Sequence, residues 1–134
     1  MIAAAYVYAV IPQTVAVEAP ILFDANGPLS GVTHVPGSAS ITVTNAGTYG
    51  ITFSVSGTEP NQFALFVNGA PNAPSVYGSG AGTQQNTGQT LVVLSAGDVL
   101  TIVNHTSTAA VTLAGAIGGT ATNVSASVMI VRYL

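Results

Sequence analysis

Residues 40–57, SITVTNAGTYGITFSVSG, decide the fold class of this chain. Apolar residues occupy every second position on either side of Asn45-Ala46-Gly47, and β-branched and aromatic residues in such alternation are typical of strands with one face in a core. Asn and Gly adopt positive φ at low cost, so 45–47 predicts a tight turn. We therefore predict strand, turn, strand. The expected core residues are Tyr49, Ile51, Phe53 and Val55.

The segments outside this stretch are short, apolar and separated by turn-forming residues. We expect strands at 4–11, 13–18, 21–23, 62–68, 89–94, 99–104, 111–113 and 124–134. Turns are expected at 24–28, 36–37 and 95–98, and glycine-rich loops at 78–88 and 114–123. Eight to ten short strands without helical periodicity predict an all-β sandwich or jelly roll. The length of 134 residues suits a single domain, residues 1–134.

The composition indicates self-association. Charged residues make up 4% of the chain and apolar residues 49%, whereas ordinary soluble domains carry about 25% charged residues. A domain with so few charges is expected to associate. The net charge of −3 with a single Arg argues against nucleic-acid partners and anionic membrane surfaces. No apolar run reaches about 18 residues, so we expect no membrane insertion.

Three predicted strands, 4–11, 62–68 and 124–134, are apolar on both faces. One face would lie in the sandwich core, and the other would need a neighbouring subunit to cover it, as in obligate interfaces. The candidates for such an interface or for the core are Tyr6, Tyr8, Phe63, Phe66, Val128, Ile130 and Tyr133.

The ionisable side chains are too few for most enzyme sites. His34 and His105 lie in or beside polar loops without Cys, Asp or Glu at metal-ligand spacing. We interpret both as structural loop histidines, with a metal shared around a subunit axis as the alternative. Asp24 and Asp98 lie in turn sequences, which indicates capping of the backbone rather than calcium binding. We predict no catalytic residue, no cofactor and no metal site, and hence no enzyme.

Arg132 is the single basic side chain and lies within the last apolar strand. One interpretation is a surface arginine whose stem covers apolar area. The other is an ion pair with Glu18, Asp24 or Glu59, within one subunit or between subunits. The residue type alone leaves both interpretations open.

Two segments resemble motifs of the C1q/TNF-like jelly rolls. Residues 45–49, NAGTY, resemble the G-x-Y strand signature of that superfamily, and residues 94–100, LSAGDVL, resemble its leucine-x-x-Gly-Asp turn. The low charge, the Thr-, Asn- and Gly-rich loops and the FVNG segment at 66–69 resemble, more narrowly, the C-terminal domains of bacterial collagen-like exosporium glycoproteins (BclA-like). The sequence departs from those proteins because it contains no Gly-x-y repeat.

The resemblance implies a ten-stranded jelly roll assembled as a compact homotrimer with its N-termini together. It implies a structural role as the trimeric head of a collagen-like filament on the spore surface, where it would nucleate trimer assembly. The implied partners are further copies of the chain, an N-terminal collagen-like stalk and the exosporium basal layer. The alternative is a trimeric receptor- or glycan-binding tip, as in an adhesin or phage fibre, that uses loops 24–36 and 78–88.

Overall fold

A computed structural model describes residues 2–82 and 84–134, and this part of the chain is almost entirely β-structure. One 3₁₀ turn covers Ala73–Ser75. The strands are β1 Ala4–Ala9, β2 Gln13–Val15, β3 Ala25–Ser30, β4 Val32–Thr33, β5 Ile41–Val43, β6 Gly47–Val55, β7 Asn61–Val67, β8 Ala70–Pro71, β9 Tyr77–Ser79, β10 Asn86–Leu94, β11 Val99–Asn104, β12 Val111–Leu113 and β13 Ala126–Arg132.

The strands form two antiparallel sheets and a short β-ribbon. The first sheet has the order β10-β6-β13-β1-β3, and the second has the order β4-β5-β11-β7-β8, with β9 also paired to β7. The ribbon consists of β12 and β2. Buried side chains from both sheets form one apolar cluster, so the fold is a jelly-roll sandwich, as predicted.

Strand β6 lies between β10 and β13 and supplies the largest side chains of the core. The four predicted core residues of this strand alternate inward, and each is at most 1% exposed. The hydroxyl of buried Tyr49 donates to the carbonyl oxygen of Asn45 at 2.7 Å. This bond satisfies the one polar atom of the ring and fixes the turn that precedes the strand.

The structure corrects the predicted pairing of the central strands. β5 pairs with β4 and β11, whereas β6 pairs with β10 and β13, so the two strands lie in different sheets. The turn between them carries the chain across the core. The turn at residues 95–98 does the same between β10 and β11. Alternation shows which side chains face a core, but both sheets face the same core, and the pattern therefore does not identify the partner strand.

Two segments have the opposite structure from the prediction. Residues 24–28 were expected to turn, but strand β3 begins at Ala25 and includes Pro28. β3 is the edge strand of its sheet, where a missing N–H is tolerated. Residues 21–23 were expected to form a strand, but only Pro20 bridges to Val103 and no strand follows. Ile21 and Phe23 are nevertheless fully buried.

The strand ends also differ from the prediction. β1 stops at Ala9 and alternates between half-buried and buried residues, so only part of the expected strand to Ile11 forms. β10 begins at Asn86, within the predicted loop. Short strands such as β8 and β9 raise the number above the expected eight to ten. Among the described residues, no helix is long and apolar enough to span a membrane.

A carboxylate contact fastens the segment between β2 and β3 to the loop after β11. Glu18 accepts from Nδ1 of His105 at 2.7 Å and from the backbone N–H of Thr106 at 2.8 Å. Glu18 and Thr106 both have positive φ, 63° and 64°. The bond from His105, followed by that from Thr106, holds the pKa of Glu18 below its usual value of 4.5.

Replacing Phe53 by Asp should abolish folding, because it places an unpaired charge in the core. The penalty of several kcal/mol is comparable to the ~5–15 kcal/mol stability of a typical domain. Thr52→Asp is the matched control, since the neighbouring side chain points away from the core. Circular dichroism should show a cooperative melt for the wild type and for Thr52→Asp, but not for Phe53→Asp. A folded Phe53→Asp chain would contradict the assigned faces of β6.

Glu18→Gln should reduce stability at neutral pH, and the loss should become smaller as the solution is acidified. Because the pKa of Glu18 is lowered by folding, its contribution is present above pH 4.5 and is lost as the pH falls through the lower folded pKa. Thermal melts of wild type and variant should therefore approach each other as the pH is lowered below 4.5. A difference in Tm that stays constant over this range would show that the carboxylate charge contributes nothing.

Candidate functional site

One exposed surface of regular structure is the side of the five-stranded sheet that points away from the core, here called the outer face. Alternation in β10, β6, β13 and β1 determines which residues lie on it. They are Thr87, Gln89, Leu91, Val93, Thr48, Gly50, Thr52, Ser54, Ser127, Met129, Val131, Ala4, Tyr6 and Tyr8. All fourteen are uncharged.

The strand register places the apolar side chains of this face side by side. Leu91 lies opposite Gly50, and Gly50 lies opposite Val131 on the next strand. Met129 lies opposite Tyr6 of β1. Leu91 is 67% exposed, Val93 78% and Met129 50%. Exposed apolar side chains that adjoin in this way mark an interaction surface more clearly than scattered ones do.

A hollow of about 450 Å³ opens on this face above Gly50. Leu91, Met129 and Val131 line it together with Tyr133. A Cβ at position 50 would lie 2.5 Å from Cε2 of Tyr133, so the tyrosine ring rests on the bare backbone of β6. Tyr133 itself is 65% exposed. Glycine at this position therefore forms the floor of the hollow and makes room for the aromatic wall.

Tyr6 and Tyr8 form the opposite side of the face. Their rings stack with centroids 5.3 Å apart and planes 27° apart. Tyr6 also packs closely over Gly27 of the edge strand β3. Both tyrosines are half-buried in the single chain. Tyr133 lies over β6 instead, so the three tyrosines do not form one cluster around β1 and β13.

The predicted interface or core residues divide between two environments. Phe63, Val128 and Ile130 are completely buried in the chain's own core. Phe66 lies on the second sheet and is half-buried. Its ring packs edge to face against the ring of His105, with the ring centroids 5.1 Å apart. Tyr6, Tyr8 and Tyr133 lie on or beside the outer face. Sequence reasoning missed Leu91, Val93 and Met129, although their exposure follows from the parity of β10 and β13.

The ionisable groups lie in separate local networks. His34 binds Asn26 and Ser38, whereas His105 binds Glu18. Within residues 2–82 and 84–134, no three His, Asp or Glu side chains come together to hold a metal ion. The structure therefore does not bring the two histidines to one place in a single chain.

The remaining carboxylates cap backbone groups. Asp98 accepts from the N–H of Ser95 at 2.8 Å and from the amide of Asn68 at 2.9 Å, and these bonds lower its pKa. Asp24 accepts from the N–H of Val10 at 2.9 Å. Glu59 accepts from the N–H of Thr112 at 2.7 Å, which lowers its pKa. Each of these carboxylates therefore holds a backbone N–H of a turn, a strand or a loop in place.

A second hollow, of about 410 Å³, lies at the end of the sandwich opposite the chain termini. Its lining includes Ser56, Gln85 and Asn123. The amide of Gln85 already bonds the hydroxyls of Ser54 and Ser56. Asn123 bonds the backbone at Ile117 and Ala114. These amides therefore hold the loops around the hollow in place.

Comparison with known proteins identifies the fold but no close relative. No protein-family model matches the sequence, and no curated protein matches it. Among solved structures, the globular domain of zebrafish complement 1qA superposes with a TM-score of 0.75 at 14% identity, over 100% of this chain and 98% of that one.

Two further solved structures have the same architecture. The Eiger TNF of S. frugiperda has a TM-score of 0.67 at 14% identity, over 99% of this chain and 93% of that one. Murine APRIL has a TM-score of 0.60 at 10% identity, over 99% and 100%. Together with the two antiparallel sheets, these superpositions show that the chain has the C1q/TNF-like jelly-roll fold.

Proposed function

We propose that this chain is a structural assembly module that forms a homotrimer through its outer face. The observation that carries the proposal is the uncharged outer face, on which Leu91, Val93 and Met129 are exposed together. Complete burial of one such side chain contributes about 1.5–3 kcal/mol. The C1q/TNF-like fold supports three copies as the number, because domains of this fold are generally trimeric.

The geometry of a three-fold ring indicates which surfaces would meet. A closed ring of three copies uses heterologous contacts, in which the face of one copy meets a different surface of the next. Strand β10 forms one edge of the five-stranded sheet, and β3 forms the other. Its exposed Leu91 and Val93 provide an apolar rim for that contact. In this arrangement the hollow above Gly50 accepts side chains from the neighbouring edge.

The position of the N-terminal segment suits the head of a filament. β1 pairs with β13 within the five-stranded sheet, and the carbonyl of Ala3 accepts from the N–H of Arg132 at 2.9 Å. In a trimer built on this sheet, the three N-terminal strands would lie close to the axis. A collagen-like stalk joined there would have its three chains already collected, which removes the entropic cost of finding partners.

We assign the filament to the spore surface on the sequence resemblance alone. The low charge, the Thr-, Asn- and Gly-rich loops and the segment at 66–69 carry that resemblance to exosporium glycoproteins. The alternative is a trimeric glycan- or receptor-binding tip that uses loops 24–36 and 78–88. Immunogold labelling of intact spores tests the location, and labelling confined to the cytoplasm would refute it.

The purified chain should have three times the 13.3 kDa mass of one copy in light scattering, at every dilution. Met129→Asp should give a folded monomer, because a charge would be buried in the contact. Ile117→Asp is the matched control: Ile117 is 48% exposed but lies outside the outer face. A monomeric wild type, or an unchanged mass for Met129→Asp, would contradict this assembly.

A collagen-like Gly-x-y segment fused before Met1 should form a triple helix that depends on the head. Circular dichroism should show the triple-helical signal and fast refolding with the wild-type head. The Met129→Asp head should slow refolding or prevent it, because the chains must then meet by diffusion. Equal refolding rates with both heads would exclude a nucleating role while leaving the trimer itself intact.

A further inference from the structure

His34 lies on the seam where the two sheets meet. It follows β4, the first strand of the second sheet, and its side chain contacts Asn26 on β3, the edge strand of the first sheet. The residue is only 7% exposed. Edge strands leave one row of backbone groups without a strand partner. A side-chain contact between β3 and the segment after β4 therefore fastens the open side of the sandwich.

Both ring nitrogens of His34 face oxygen acceptors. Nδ1 lies 2.5 Å from Oδ1 of Asn26, and Nε2 lies 2.8 Å from the carbonyl oxygen of Ser38. The orientation of the Asn26 amide is fixed, because its Nδ2 donates to the carbonyl of His34 at 2.9 Å. Turning the amide over would place its oxygen against that carbonyl. The ring therefore has two acceptors and no donor as its partners.

A neutral imidazole cannot satisfy this arrangement. It carries one N–H, so one of its nitrogens presents a lone pair to an oxygen atom. The imidazolium form has two N–H groups and donates to both oxygens at once. Hydrogen bonds from a charged donor are also the stronger kind. The contacts between β3 and the 34–38 loop are complete only when His34 carries both protons.

The surroundings of the ring contain no competing described charge. Phe23 packs edge to face against it, with centroids 6.3 Å apart. Asp24, the acidic residue on the adjoining segment, accepts instead from the N–H groups of Val10 and Ile11. Among the described residues, no carboxylate lies in ion-pair contact with His34. Protonation of this ring is therefore coupled mainly to the Asn26 and Ser38 bonds.

We propose that His34 is a proton-dependent latch, which closes the seam between the two sheets when protonated and loosens it when neutral. The latch acts on the loop that is also held by the bonds from Gly37 N–H to Phe23 and from Phe23 N–H to Ser38. The two forms of the ring differ by one proton, so the firmness with which this loop is held should depend on pH. This inference does not depend on the oligomeric state.

Amide hydrogen exchange between pH 5 and pH 8 tests the latch in the intact chain. After correction for the intrinsic exchange rate at each pH, protection of Phe23, Gly37 and Ser38 should fall about tenfold toward pH 8. Protection of Ile51 in the core should not change, which separates local loosening from global unfolding. Protection of the three loop amides that is independent of pH in the wild type would overturn the proposal.

Two variants identify the group responsible. Asn26→Ala removes one acceptor, so a neutral His34 can donate to Ser38 without a second oxygen beside it, and the pH dependence should disappear. His105→Gln removes the other histidine and should leave the pH dependence unchanged, because His105 bonds to Glu18 elsewhere. If the pH dependence were lost in His105→Gln and kept in Asn26→Ala, it would come from His105, and the proposed role of His34 would be wrong.

Discussion

The rest of the structure depends on the position of β6 between β10 and β13. This strand is paired along both edges, and its inner side chains fill the space between the two sheets. Its outer side chains are small or absent, with Gly50 and Thr52 at the centre. The same nine residues therefore build the core on one side and, on the other, a flat surface that a neighbouring molecule can approach closely.

The entry to β6 shows how a local sequence fixes a long-range connection. The chain bends at Thr44 and Asn45, and the hydroxyl of Tyr49 donates to the carbonyl of Asn45 from inside the core. The Cβ of any residue larger than glycine at position 47 would lie 2.4 Å from Nε of Arg132. The start of β6, the end of β13 and the crossing between the two sheets thus meet at one point.

The inward-facing residues could be predicted from the sequence, but their partners could not. Alternation along a strand, which is a property of that strand alone, indicates which side chains face the core. It does so for Tyr49, Phe53 and the apolar residues of β11. Strand pairing depends on contacts between distant segments, and a turn such as 45–47 looks the same whether it closes a hairpin or crosses the core. The edge strand β3 was missed because its Asn-Gly-Pro sequence has the composition of a turn.

The outer face was only partly predictable for a related reason. The large aromatic side chains of Tyr6, Tyr8 and Tyr133 are recognisable in the sequence as interface candidates. Leu91 and Val93 are not, because they lie in a continuous apolar run. Such a run reads as buried on both sides. β10 has one face in the core and one open, as the alternation of buried and exposed residues along it shows.

The few charges of the chain are arranged consistently with this division of surfaces. Glu18, Asp24, Glu59 and Asp98 each accept from at least one backbone N–H. Each carboxylate therefore stabilises a loop or a turn by satisfying a donor that no strand partner reaches. None of the four lies on the outer face. Because desolvating a charge costs far more than desolvating a hydroxyl, a sheet surface made of Thr, Ser, Gly and apolar residues can be buried against another copy without that penalty.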